Sequence, residues 1–200
     1  MDAKGEIGLC SGRIDRVQLV AHLLVGASSH SSKWRGVLVE SEEQPHLVIA
    51  LHAVVERLGG LTRAWRFDRM ATVATPGTGK VTATFAAVAK HYAVTVEVCP
   101  PRRGNRKGVV EKANHAAAQR IWRSMPETVD GRPITIEQAQ ARIDAWCAAK
   151  GDARRRVVLE PDAVHRATTV RQLADGEPLR TRPAPVTVTH PLVATVSEQG

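Results

Sequence analysis

Residues 62–98 read TRAWRFDRMATVATPGTGKVTATFAAVAKHYAVTVEV, and the order of patterns within them decides the fold. In TRAWRFD, Trp65 and Phe67 alternate with Ala64 and Arg66, which predicts a short strand ending at Asp68. Residues 71–81 are a loop by composition, rich in the turn formers Gly and Pro. From Thr82 onward, Phe85, Val88, Ala89 and Tyr92 recur at helical spacing. Val94, Val96 and Val98 then keep a strict period of two, which is a second strand. Strand, helix, strand is the repeating unit of an α/β layout.

Upstream, QLVAHLLVGA (18–27) and KWRGVLVE (33–40) read as two strands of a hairpin joined across Ser28–Ser32. Ser41 and Gln44 have capping-box spacing, and Leu47, Ala50, Leu51, Val54, Val55 and Leu58 mark a helix that Gly59-Gly60 closes. Residues 1–17 show no clear period and are expected to be a poorly defined N-terminal segment. Downstream, Pro100-Pro101 ends the second strand, and Arg102–Gly108 is a basic, glycine-bearing loop. Val109–Ser124 predicts a helix whose apolar face carries Val110, Ala113, Ala117 and Ile121. Its other face carries Glu111, Asn114, His115, Ala118 and Trp122. A further helix is expected over 136–149, opened by Thr135 and Gln138, and a short one near Val170–Leu173. Pro183, Pro185 and Pro191 make the end extended and tail-like. The expected organisation is thus a core over 18–125, a helical extension over 126–180 and a Pro-containing tail over 181–200.

A net charge of +8 and a pI of about 10 point to a polyanionic partner, nucleic acid or an anionic membrane surface. No apolar stretch is long enough to span a bilayer, and the N-terminus has no secretory pattern. Cys10, Cys99 and Cys147 are scattered without metal-ligand spacing, which suits a reducing cytoplasm. His22, His46 and His52 have no ligand spacing either, Trp65 and Trp122 read as packing residues, and Arg154-Arg155-Arg156 is either a DNA contact or a solvated turn.

The loop ATPGTGKVT (74–82) invites a nucleotide-binding reading, which its own residues reject. The P-loop pattern needs glycine where Ala74 stands and a hydroxyl where Val81 stands. Thr82 is one place late, about 100° around a helix. No nucleotide cofactor is expected, and Pro76, Gly77 and Gly79 read as turn formers.

Two carboxylates flank that loop more suggestively. Asp68 ends a predicted strand, and Glu111 lies in the first turn of a predicted helix. Arg102, Arg103, Arg106 and Lys107 crowd the loop before Glu111, where phosphates would neutralise them. WRFDRM, AAVAKHYAVTVEVCPP and RRGNRKGVVEKANHAAAQR, taken in that order, resemble the catalytic core of integrase-type DDE transposases, the insertion-sequence enzymes whose core is similar to retroviral integrase. The resemblance covers roughly residues 18–125. It implies a ribonuclease H-like fold and metal-dependent phosphoryl transfer on DNA, with carboxylates holding two Mg²⁺ (or Mn²⁺) ions about 4 Å apart. Asp68 and Glu111 match its second and third acids, as catalytic residues and metal ligands. Arg102, Arg103, Arg106, Lys107, Lys112 and Asn114 would meet the DNA. The first acid belongs on the opening strand, where Asp2 and Asp15 are the candidates. Against that pattern the chain is expected to be truncated at both ends, weakly active or inactive, and able to self-associate on paired DNA ends. The alternative is a non-catalytic DNA-binding protein derived from such a core.

Overall fold

The computed structural model describes residues 6–16, 19–99, 115, 121–159 and 165–186. Its centre is a five-stranded mixed sheet built from β1 (Glu6–Arg16), β2 (Leu19–Ser28), β3 (Trp34–Val39), β4 (Ala64–Phe67) and β5 (Thr95–Val98), in the spatial order β3-β2-β1-β4-β5. β1, β2 and β3 form an antiparallel meander, whereas β4 and β5 run parallel to β1. Parallel neighbours need crossovers, and α1 (Gln44–Leu58) and α2 (Ala83–His91) supply them before β4 and β5. This is the mixed, ribonuclease H-like α/β architecture expected from the sequence.

The middle of the sheet differs from the expectation. Residues 1–17 read as poorly defined, yet Glu6–Arg16 is the central strand, paired with β2 along its whole length and with β4 at its start. Gly8, Gly12, Arg13 and Arg16 blur its period, so the residues carry little intrinsic strand signal. Its conformation comes from the ladders on both sides.

Strand alternation sorts the apolar residues onto two faces. Leu24, Val37, Trp65 and Phe67 face one layer, in which Leu47, Leu51, Val54, Val55 and Leu58 of α1 and Phe85 and Val88 of α2 complete the core. Ala21, Leu23, Val25, Ala27, Trp34 and Leu38 face the other, covered by Ile121, Met125 and α3 (Ile136–Trp146) through Ala139, Ile143 and the following Cys147. The expected capping box at Thr135 and Gln138 opens α3, with Gln138 N–H donating to Thr135 Oγ1 at 3.2 Å. The one expected at Ser41 and Gln44 does not form. α1 instead begins at Gln44 behind Glu43, with Pro45 in its first turn, and Ser41 Oγ accepts from Glu43 N–H at 3.1 Å.

The stretch 126–180, expected to be helical, is mixed. β6 (Thr128–Val129) and β7 (Arg132–Pro133) make one small hairpin, and β8 (Arg155–Leu159) and β9 (His165–Thr169) another. α4 (Val170–Asp175) follows, capped by Thr169. Arg154–Arg156 therefore lead into a strand. Arg35 of β3 reaches Asp152, just after α3, in a two-pronged ion pair at 2.9 and 2.7 Å.

The chain beyond α4 is extended, as its prolines predict, but is tied down as far as residue 186. Glu177 accepts hydrogen bonds from Ser28 and Ser31 of the β2–β3 turn. Arg180 pairs backbone to backbone with Leu61 at 2.8 Å in both directions. The approach is so close that a Cβ on Gly60 would lie 2.8 Å from Arg180 O. Arg182 Nη1 donates to His52 Nε2 on α1 at 2.5 Å, which leaves His52 Nδ1–H to donate to Tyr92 Oη at 2.9 Å.

Candidate functional site

Open parallel sheets bind ligands at the C-terminal ends of their strands. Here that end belongs to β4 and β5, beside the middle of β1, and Asp68 is the first residue beyond β4. It is half-buried; its Oδ1 accepts from the Arg69 N–H at 2.8 Å and its carbonyl from the Met70 N–H at 2.8 Å, so the chain turns away at once. Trp65 and Phe67, fully buried against α1 and α2, fix the direction of the strand. Alternation then places Asp68 on the opposite face, one step beyond the cross-strand pair Arg66–Glu97, whose atoms approach to 2.8 Å.

The register names the neighbours of Asp68. Leu9 of β1 and Val98 of β5 are both level with Phe67. One residue further along each strand, Cys10 and Cys99 therefore flank Asp68. The ladder on the β5 side continues past the strand, because Cys99 N–H donates to Phe67 O at 3.0 Å. Cys99 is 4% exposed. Sequence reading missed both cysteines, since only strand pairing brings positions 10, 68 and 99 together. Neither candidate first acid joins them. Asp15 is level with Val20, five residues and about 16 Å of strand beyond Cys10. Asp2 lies outside the described residues, as do Arg102, Arg103, Arg106, Lys107, Glu111, Lys112 and Asn114. His115 is helical and exposed.

Among the described residues, this edge alone does not complete the oxygen shell of a pair of magnesium ions. Mg²⁺ demands oxygen ligands. Among the described residues, the edge offers the single carboxylate of Asp68 with a cysteine at register level on each side. Glu97 is already engaged by Arg66. Soft thiols suit other metals.

The loop at 74–82 closes on itself. Ala74 and Val81 form an antiparallel bridge, Thr75 N–H donates to Lys80 O at 2.8 Å, and Gly79 N–H donates to Thr75 O at 3.0 Å. Gly77 and Gly79 turn at φ +83° and +70°. The Thr75, Gly79, Lys80 and Thr82 N–H groups are thus spent inside the chain's own turn, and Thr82 Oγ1 caps α2 by accepting from Phe85 N–H at 3.3 Å. A cleft of about 390 Å³ is lined by Glu56, Gly59, Gly60 and Leu179–Arg182. It lies where α1 ends and the chain enters β4, at the opposite end of the sheet from Asp68, and none of the candidate catalytic, metal-binding or DNA-binding residues lines it.

No protein-family model matches the chain, and no curated protein does. Solved structures match it by shape. One is the simian T-cell lymphotropic virus intasome in complex with the PP2A regulatory subunit B56 gamma, at TM-score 0.65 and 15% identity over 94% of this chain. This chain spans 60% of that protein. A second is the HTLV-2 integrase catalytic core domain in complex with magnesium, at TM-score 0.60 and 12% identity, covering 86% of this chain and 96% of that one. A third is the catalytic core domain of BIV integrase, at TM-score 0.55 and 12% identity, covering 74% and 86%. At these identities the likeness establishes the fold alone, the one that retroviral integrase catalytic core domains share.

Proposed function

We propose that the chain carries the catalytic core of an insertion-sequence transposase, a DNA strand-transfer protein, in a weakly active or inactive form. The observation that carries this reading is Asp68 at the C-terminal end of β4, beside the central strand of a β3-β2-β1-β4-β5 sheet. Glu111 is its partner acid, and Mg²⁺ or Mn²⁺ is the cofactor the reading calls for. Arg102, Arg103, Arg106, Lys107, Lys112 and Asn114 meet DNA, in keeping with the net charge of +8. The solved cores of like shape include dimeric and trimeric forms, which supports self-association. No helix among the described residues is long and apolar enough to cross a membrane, and the protein works on DNA in a bacterial-type cytoplasm.

The second reading, a DNA-binding protein without catalysis, is favoured by one observation: cysteines hold both register positions beside Asp68. Two measurements decide. Fluorescence anisotropy with duplex DNA over a salt series reports binding, and replacing Arg102, Arg103, Arg106 and Lys107 together by Ala should weaken it and flatten its salt slope by about 3 to 4. DNA affinity indifferent to that variant at every salt concentration would overturn both readings. A nicking and joining assay with Mg²⁺ or Mn²⁺ separates them: product lost in Asp68→Ala and in Glu111→Ala marks the enzyme, and binding without product marks the second reading.

A further inference from the structure

We infer that the β8–β9 ribbon is a DNA-docking element in its own right: the arginines at its base meet phosphates, and its outward face enters the major groove. The choice of DNA as partner rests on the proposed function. Strand pairing sorts the ribbon's side chains onto two faces. Arg155 is level with Thr169, Val157 with Ala167 and Leu159 with His165, so these six share one face. Arg156 belongs to the other face and donates from Nη1 to His30 O at 2.8 Å, which turns that face toward the β2–β3 turn. The first face therefore looks away from the body of the protein. Val157 and Leu159 on it are 65% and 64% exposed. They stand about 7 Å apart on one strand, and neither is stabilised by burial.

Charge identifies the occupant of that face. Val170 N–H donates to Arg154 O at 2.9 Å and Arg171 N–H to Asp152 O at 3.0 Å, which brings Arg171 beside the start of β8. Arg155, Arg156 and Arg171 thus gather at the base of the ribbon. Arg156 and Arg171 are oriented by backbone carbonyls, His30 O and Ala148 O, which accept hydrogen bonds without neutralising a cation. Among the described residues no carboxylate pairs with any of the three. Asp152, the nearest acid in sequence, is committed to Arg35. Residues 150–171 hold six lysines and arginines against three acids, with Glu160 and Asp162 counted. That surplus favours a polyanion, whereas a second copy of the chain on a two-fold axis would bring the same cations together. The major groove is about 12 Å wide and admits a two-stranded ribbon; thymine methyl groups within it offer apolar contact, and phosphates rim it. Val157 and Leu159 suit the first, and the guanidinium forks suit the second.

The test is fluorescence anisotropy of the full chain with labelled duplex DNA over a salt series, without added metal. Arg155→Gln, Arg156→Gln and Arg171→Gln combined should flatten the salt slope by about 3. The same three positions changed to Lys lose the guanidinium forks but keep the charge, and should keep the native slope. Val157→Ser with Leu159→Ser should weaken binding severalfold and leave the slope unchanged. A native slope in the Gln variant, or a slope lost equally in the Lys variant, would overturn the inference. Val157→Ser with Leu159→Ser that spares DNA affinity also overturns it: a lower mass in sedimentation then marks a second copy as the occupant, and lost binding to phosphatidylserine vesicles marks a membrane. Should the Gln variant not fold, Arg155→Gln alone, at an exposed position, still decides by a slope smaller by about 1 or unchanged. The variant of Arg102, Arg103, Arg106 and Lys107, run alongside, separates the two readings. A native slope there with a flattened one in the ribbon variant keeps this inference and loses the proposed function; the reverse keeps the function and loses the inference.

Discussion

Arg35 and Asp152 join the sheet to the layer that covers its second face, and removing one partner gives a quantitative test of the architecture. Their side chains are 12% and 10% exposed, and two hydrogen bonds of 2.9 and 2.7 Å lock them together. Asp152→Ala leaves a guanidinium almost out of water with no counter-charge, and breaking such a pair costs about 3–5 kcal/mol. Arg35 Nη1 keeps its bond to Trp34 O at 2.8 Å, which places the expected loss at the lower end of that range, about 3 kcal/mol. For a chain of 200 residues that is a fall in Tm of roughly 6–12 °C. The control is Asp144→Ala. The Arg57–Asp144 pair is 29% and 37% exposed and is expected to contribute about 1 kcal/mol or less. Arg35→Met with Asp152→Leu removes both charges together and should recover most of the loss. Urea denaturation of the four proteins at pH 7 measures each term. No recovery in the double variant relative to Asp152→Ala, or an Asp152→Ala loss no larger than that of Asp144→Ala, would refute the reasoning.

Three further outcomes follow from the described contacts. Burial first, and then the neighbouring Arg182, lower the His52 pKa, so the folded chain favours neutral imidazole. The stability this contributes is fully present above about pH 6.5 and is lost as pH falls through the lower folded value. Protease protection of residues 179–186 should drop between pH 7 and 5, and Arg182→Ala should weaken the pH dependence by removing the second of the two causes. Glu177→Ala removes the acceptor shared by Ser28 and Ser31, which are 3% and 0% exposed; thermal or urea unfolding should show a loss of about 1–3 kcal/mol. Burial pushes the Cys147 thiol up to about 12, so iodoacetamide at pH 8 should leave Cys147 unmodified in the folded chain and label it after denaturation, as read by peptide mass spectrometry.

Much of the fold was legible in the sequence wherever a face is both buried and continuous. Trp65 and Phe67 against Ala64 and Arg66, the helical spacing of Leu47–Leu58, and the Val94–Val98 alternation each encode their own conformation, because each element buries one side. The Thr135–Gln138 box reads off four residues, since a cap is a local hydrogen-bond exchange. The rejection of ATPGTGKVT as a phosphate loop was local as well, and the closed turn follows from its two glycines.

The central strand was not legible. Glu6–Arg16 has glycines and arginines where an amphipathic strand would alternate, and only partners distant in sequence hold it in place. The same holds for the composition of the candidate site. The sequence by itself placed Asp68 at a strand end, because the residues before it alternate. That Asp68 stands between Cys10 and Cys99, and that Asp15 stands about 16 Å away, was decided by tertiary structure. Strand register is set by hydrogen bonds between segments some 30 to 60 residues apart, and no local pattern carries it.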